Sequence, residues 1–299
     1  MGVRVNPDMY GIILDGLSQT TKQQDNALEQ LATGQQLNSL SDNPAAVASL
    51  VSIRTQSSSN AQYLKNISTL TGTMQVTDSA LSSVVESLTS AISLGVEGAN
   101  GTLSADNRQA IAQQVQGIQQ QVLGLANTTY DGNYVFAGTA TNGAAYETDN
   151  NASSGVQYTG NTDVNTVEIS QGQTMQVNLP GSQIFSNAAG DVFQSLQDLY
   201  TSLQNGGDVA TATTGLRTAL DVVDNQRTFY DNSLNHLSSS QTFLNSEQTQ
   251  LTTAQSNTLD ADMAKTITDL TQSETTRDAL LQAAGKIPAN SLFDYLPTS

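Results

Sequence analysis

The chain contains no cysteine, which excludes disulfide staples, thiolate nucleophiles and zinc–thiolate sites together. Tryptophan is also absent, and aromatic residues make up only 5% of the 299 positions. A single histidine, His236, has no second imidazole with which to share a metal. No nucleophile elbow offers a serine around which a Ser-His-Asp set would assemble. No catalytic residue, metal ligand or cofactor site is therefore assigned, and the chain is not expected to be an enzyme. Charge is scarce too, at 12% of residues against about 25% in ordinary domains. Only 10 residues are basic and they stand singly, whereas 27 are acidic, for a net charge of −17. Without a basic stripe to displace phosphate counterions or meet an anionic bilayer, nucleic acid and membrane are both excluded as expected partners. No run approaches the roughly 18 apolar residues of a membrane span. The opening Met1-Gly2-Val3-Arg4-Val5-Asn6-Pro7 has no apolar segment followed by a small-residue cleavage site, so no cleavable signal is expected.

Ser, Thr, Gln, Asn and Ala fill the space left by charge and aromatics. Small neutral side chains let long helices approach closely without burying charge. Near the start, Leu14, Leu17, Thr21, Gln24, Leu28 and Leu31 step by three and four, and near the finish Leu259, Met263, Ile267, Leu270, Glu274, Arg277 and Leu281 keep almost the same rhythm. Such a stripe is too narrow for a globular core and suits a coiled-coil seam. Packing within one molecule is the ordinary explanation of apolar stripes. Against it, Thr21, Gln24, Glu274 and Arg277 stand where a strong isolated coil would place Leu or Ile. The two helices are accordingly expected to order only when copies pack together.

Between these ends the pattern goes out and comes back. A first helix is expected from about Asn6, a cap, with Pro7 at its first position, to Gly34. A second starts at Pro44, capped by Asp42 or Asn43, and runs to Leu94 with Gly72 the one point where it could bend. A third follows Ser104. From Asp131 the periodicity shortens to β-like runs, Asn133–Gly138, Val156–Tyr158, Thr166–Ile169 and Met175–Leu179, separated by turn residues such as Asn142-Gly143. Helix returns at Asp191 with an ordinary core face, then spans about Asp208–Gln255 with Leu237, Leu244 and Leu251 seven apart. After an interruption at 256–258, a last helix over Leu259–Gly285 leads to an apolar tail. The expected fold is mainly α with a small β insert. It would be a long antiparallel helical bundle or coiled-coil rod, with both termini at one end and an antiparallel β domain at the other. Its segments are an assembly helix at 1–40, rod halves at 41–130 and 188–256, the β domain at 131–187, and a second assembly helix with tail at 257–299.

The order of segments, with Leu40-Ser41-Asp42-Asn43-Pro44-Ala45-Ala46, Asn127-Thr128-Thr129, Gly132-Asn133-Tyr134-Val135-Phe136-Ala137-Gly138, Leu259-Asp260-Ala261-Asp262-Met263 and Ser291-Leu292-Phe293-Asp294-Tyr295-Leu296, resembles the bacterial flagellin superfamily. The Tyr-Val-Phe-Ala-Gly segment and Arg4-Val5-Asn6-Pro7-Asp8-Met9-Tyr10 are more similar to its hook-filament junction branch than to the filament subunit. Asn43 departs from the acidic residue common there. The resemblance implies an extracellular structural adaptor of the flagellum, a ring-like homo-oligomer between hook-associated protein 1 and flagellin. It also implies type III export with a cytoplasmic chaperone. The assembly-interface candidates are Leu14, Leu17, Leu28, Leu31, Leu259, Met263, Ile267, Leu270, Leu281, Leu292 and Leu296.

Two further functions compete. One is the filament subunit itself. The other is a glycan-binding or adhesive module on a helical stalk, for which Tyr134, Tyr146 and Tyr158 would supply stacking faces. Asp149-Asn150-Asn151 lacks the spacing and terminal Glu of a calcium loop and is expected to be a solvated turn.

Overall fold

The structure is a computed structural model and describes residues 7–39 and 43–286. Seven helices carry most of it: α1 (Pro7–Thr33), α2 (Pro44–Gly98), α3 (Ala105–Ala126), α4 (Gly181–Ile184), α5 (Val192–Asn205), α6 (Val209–Leu259) and α7 (Met263–Lys286). Short polar side chains set the ends. Asn43 caps α2, its Oδ1 accepting from the Ala46 N–H at 3.1 Å. Asp42, the other expected cap, lies outside the described residues, as does Asn6. Ser104 caps α3 and Asp191 caps α5, the latter accepting from the Gln194 N–H at 2.8 Å. Asp208 caps α6 through Thr211, and α5 closes on Gly206 in the left-handed conformation that glycine adopts without strain.

Three boundaries differ from the sequence-based expectation. The helix α2 does not stop at Leu94 but continues to Gly98, with Gly95 packed against Thr213 and Gly98 against Leu203. The long helix α6 does not stop at 255 but continues through 256–258, because polarity alone, without Gly or Pro, does not break a helix. The break falls at Asp260-Ala261-Asp262 instead. Asp262 then caps α7 by accepting from the Ala264 and Lys265 N–H groups at 3.0 and 3.1 Å. Leu259 therefore ends α6 and does not open α7. α2 runs unbroken through Gly72, where Tyr130 packs against the missing side chain.

The chain divides into two compact units, one from the described residues of Met1–Ser58 and Gln248–Ser299, the other from Ser59–Glu247. The second unit holds the hydrophobic core. Along α2, Ile67, Met74, Leu81 and Leu88 are buried at seven-residue intervals. Along α6, Leu216, Val223, Tyr230, Leu237 and Leu244 repeat the spacing. A strict seven-residue repeat is the signature of a left-handed coiled-coil seam. Within this unit, Asn60 on α2 donates from Nδ2 to the Leu244 carbonyl at 2.9 Å, and Arg227 on α6 meets Asp78 on α2 at 2.9 Å, which makes the two helices antiparallel.

The β residues form four separate antiparallel hairpins and not one sheet. They are β1–β2 (Thr129–Tyr130, Asn133–Tyr134), β3–β4 (Tyr146–Thr148, Val156–Tyr158), β5–β6 (Thr166–Ser170, Gln173–Gln176) and β7–β8 (Ser186–Asn187, Gly190–Asp191). Strands this short cannot build a core of their own. They share one with the helices. Tyr146 packs its ring 5.0 Å from Phe193 of α5 and 5.1 Å from Tyr158, and Phe136 stacks edge-on to Phe185. The Tyr134–Gly138 segment leaves the strand after Tyr134 and becomes a hydrogen-bond hub. Its Phe136 carbonyl accepts from the Gly181 N–H at 2.7 Å, and its Ala137 carbonyl accepts from the Asn161 N–H at 3.2 Å.

Candidate assembly interface

The first unit is built on a different principle. Helices α1 and α7 lie antiparallel: Gly16 faces Leu280, Gln24 Oε1 accepts from Arg277 at 3.4 Å, and Gln30 Oε1 accepts from Thr266 at 3.4 Å. The positions least exposed on α1 include Ile13, Leu17, Thr20, Gln24, Ala27 and Leu31, and on α7 they are Thr266, Leu270, Ser273, Leu280 and Ala284. The steps are again three and four, but the fully buried members are Thr20, Ala27, Thr266 and Ser273. Among the described residues of α1 and α7, Ala27 is the one apolar side chain below the surface. The hydroxyls fold back on their own helices, Thr20 to the Gly16 carbonyl at 2.7 Å and Ser273 to the Leu270 carbonyl at 2.7 Å. Satisfied in this way, they can be buried without loss. They add little apolar burial in return.

Main-chain bonds supply what the side chains do not. Beyond α1, the Gln36 N–H donates to the Leu259 carbonyl at 2.7 Å, and the Ala261 N–H donates to the Gly34 carbonyl at 2.9 Å. Gln35 and Asp260 thereby form an antiparallel bridge. Gly34, at a φ of 69°, provides the left-handed turn that lets the strand reverse. This bridge and the small-residue seam were not singled out by the leucine pattern. The available signal was the seven-residue spacing of small residues one step from it, Thr20 with Ala27 and Thr266 with Ser273.

The candidate assembly residues divide into three groups. Leu17, Leu31 and Leu270 are half-buried along the seam, and Leu259 is half-buried at the end of α6, where its carbonyl closes the bridge. Leu14, Leu28, Met263, Ile267 and Leu281 are 45–53% exposed, accompanied by Tyr10 and Ile12. Leu292 and Leu296 lie outside the described residues. At about 100° of turn per residue, Leu14, Leu28, Met263, Ile267 and Leu281 fall on one side of the seam. The other side is a polar groove of about 370 Å³ lined by Gln23, Asn26, Gln30, Asp269, Gln272 and Thr276. The pair thus has an apolar flank and an amide flank.

Two of the three tyrosines considered for a glycan platform are otherwise engaged. Tyr146 is buried in the aromatic cluster, with its hydroxyl 3.2 Å from Ser186 Oγ, and burial pushes that hydroxyl well above its ordinary pKa. Tyr158 donates to the Asn161 carbonyl at 2.7 Å. His236 is 3.3 Å from both Met175 Sδ and the Gln173 amide, holding the β5–β6 hairpin against α6.

A model of the bacterial flagellin N-terminal helical region matches residues 9–141. Flagellar hook-associated protein 3 of Salmonella typhimurium is 32% identical over 181 residues, covering 60% of this chain and 55% of that protein. The Escherichia coli protein of the same name is 30% identical over 224 residues, covering 70% of this chain and 68% of that protein. A solved structure of a flagellar hook-associated protein from Vibrio parahaemolyticus is similar with a TM-score of 0.68 at 24% identity, covering 73% of this chain and 100% of that one, a likeness of fold.

Proposed function

The chain belongs to the flagellar hook-associated protein 3 family, and from that premise we propose that it is a structural junction adaptor of the bacterial flagellum, assembling between hook-associated protein 1 and the flagellin filament. The observation that carries this proposal is the mismatch in the α1–α7 pair, which among its described residues buries one apolar side chain and leaves two apolar patches exposed on one flank, Leu14 with Leu281 and Leu28 with Met263 and Ile267. Covering a half-exposed Leu, Ile or Met side chain contributes about 1 kcal/mol, so one neighbour stabilises the pair modestly and several together stabilise it strongly. Copies of this chain in a ring, with hook-associated protein 1 on one side and flagellin on the other, supply those neighbours. The assembly segments are 1–40 and 257–299. Leu14, Leu28, Met263, Ile267 and Leu281 make the contacts between subunits, while Leu17, Leu31 and Leu270 hold the pair itself; Leu292 and Leu296, outside the described residues, are further candidates for such contacts. The adaptor leaves the cell through the type III flagellar export apparatus, held beforehand by a cytoplasmic chaperone.

The test replaces Leu14, Leu28 and Ile267 by Ser in the chromosomal copy. Folded adaptor should still be exported, filaments should be missing, and flagellin monomers should accumulate in the medium. Normal filaments and motility would overturn the assignment of the flank. Deletion of the whole gene separates the adaptor from the filament subunit: release of flagellin supports the adaptor, and absence of any flagellin points to the subunit.

A further inference from the structure

The sequence contains three Asn-Gly pairs, Asn100-Gly101, Asn142-Gly143 and Asn205-Gly206, and the structure treats them differently. An asparagine followed by glycine can cyclise. The glycine backbone nitrogen attacks the side-chain Cγ, the Cγ–Nδ2 bond breaks, and ammonia leaves. Water then opens the succinimide at either carbonyl, giving aspartate or isoaspartate without any change of oxidation state. The reaction needs a nucleophilic nitrogen not held by an acceptor and a polarised side-chain carbonyl.

Only the first pair meets both conditions. The Gly206 N–H is held by the Ser202 carbonyl in the closing turn of α5. The Gly143 N–H is directed at the Ala140 carbonyl at 3.5 Å, and no hydrogen bond polarises the Asn142 carbonyl among the described residues. At the turn between α2 and α3, the Gly101 N–H has no acceptor among the described residues, and the space around Gly101 is open. The Asn100 Oδ1 accepts twice from Thr102, from its N–H at 3.1 Å and from its hydroxyl at 2.9 Å. Two donors on one carbonyl oxygen stabilise the negative charge that grows there during attack, as in an oxyanion hole, though in a solvated turn. We infer that Asn100 is a self-modifying site, converting to aspartate and isoaspartate by deamidation promoted by Thr102. The new carboxylate arises in a cavity of about 280 Å³ that Asn100 shares with Arg108, a side chain whose Nε is buried without an acceptor.

The full-length protein is incubated at mildly alkaline pH and 37 °C, then digested and followed by peptide mass spectrometry with an isoaspartate-specific methyltransferase assay. The mass change from amide to acid should accumulate first at Asn100, ahead of Asn142 and Asn205. Thr102→Val should slow it by about three- to tenfold, the range set by losing a net hydrogen bond of roughly 0.7–1.4 kcal/mol. Thr102→Ser, which keeps the hydroxyl, should restore most of the rate, and Gly101→Ala should suppress the reaction. Deamidation led by Asn142 or Asn205, or a Thr102→Val rate equal to the parent's, overturns the inference. Circular dichroism of each variant confirms that its rate belongs to the folded chain.

Discussion

The two units bury different chemistry behind the same three-four rhythm. Along α2 and α6 of the larger unit, the seam is Ile67, Met74, Leu81 and Leu88 against Val223, Tyr230 and Leu237, and it continues into a cluster with Phe136, Tyr146, Phe185 and Phe193. Along α1 and α7, the equivalent positions are Thr20, Ala27, Thr266 and Ser273. Periodicity therefore defines which face meets a neighbour, while side-chain size decides whether that meeting suffices by itself. The larger unit is complete within one chain. The α1–α7 pair has most of its apolar residues beside the seam, where no described residue covers them.

The contrast breaks most sharply at the aromatic cluster. Tyr146→Ala should destabilise the isolated protein by about 3–5 kcal/mol, read from urea unfolding, because a fully buried ring leaves a cavity. A loss under 1 kcal/mol would mean that the larger unit is no better packed than the helical pair. Next comes Gly190→Ala. A methyl group there would sit 3.0 Å from the Ala219 backbone on α6, so about 1–3 kcal/mol should be lost, measured by the same unfolding. Asp191→Ala removes the α5 cap and should cost about 1 kcal/mol.

Asp191 also carries a pH dependence. Burial raises its pKa against the opposing hydrogen bonds from the Gln194 and Phe193 N–H groups, so the native state binds the proton more tightly than the unfolded one. Its contribution is greatest below the unfolded pKa and falls as pH rises through the higher folded value. Asp191→Asn keeps the acceptor and should flatten that part of the stability profile. A profile unchanged by Asp191→Asn would assign the slope to other carboxylates. The smallest effect belongs to the exposed flank. Leu14→Ser with Leu281→Ser should change the unfolding free energy of the free protein by no more than about 0.5 kcal/mol while abolishing filament formation. A larger shift would place these residues in the monomer's own core.

Much of this was legible in the chain. The helix order, the caps at Asn43 and Ser104, and the seven-residue run ending at Leu251 follow from residue pattern and turn chemistry. The α1–α7 contact was half visible. A stripe through Leu14, Thr21 and Leu28 and one through Ile13, Thr20 and Ala27 differ by a single residue, and hydrophobicity marks the first, whereas the second meets α7. Buried Thr, Ser and Ala carry no apolar signal, so only the partner helix reveals them. The pairing of Gly34–Gln36 with Leu259–Ala261 was illegible for another reason: main-chain hydrogen bonds leave no mark on side-chain pattern. In the β region, the separate hairpins were hidden because two-residue strands fall below the length at which alternation can be recognised.

That main-chain bridge also imposes an order of events. Its two sides, Gln35 and Asp260, lie 225 residues apart, so it closes one of the longest loops the chain can make, and local hairpins and helices have the kinetic advantage over it. A chain emerging N-terminus first cannot form the bridge until Ala261 has appeared. The α1–α7 clasp therefore reports completion: it registers only once nearly all of the intervening polypeptide has been delivered, and a stalled or truncated chain is left with α1 unmatched.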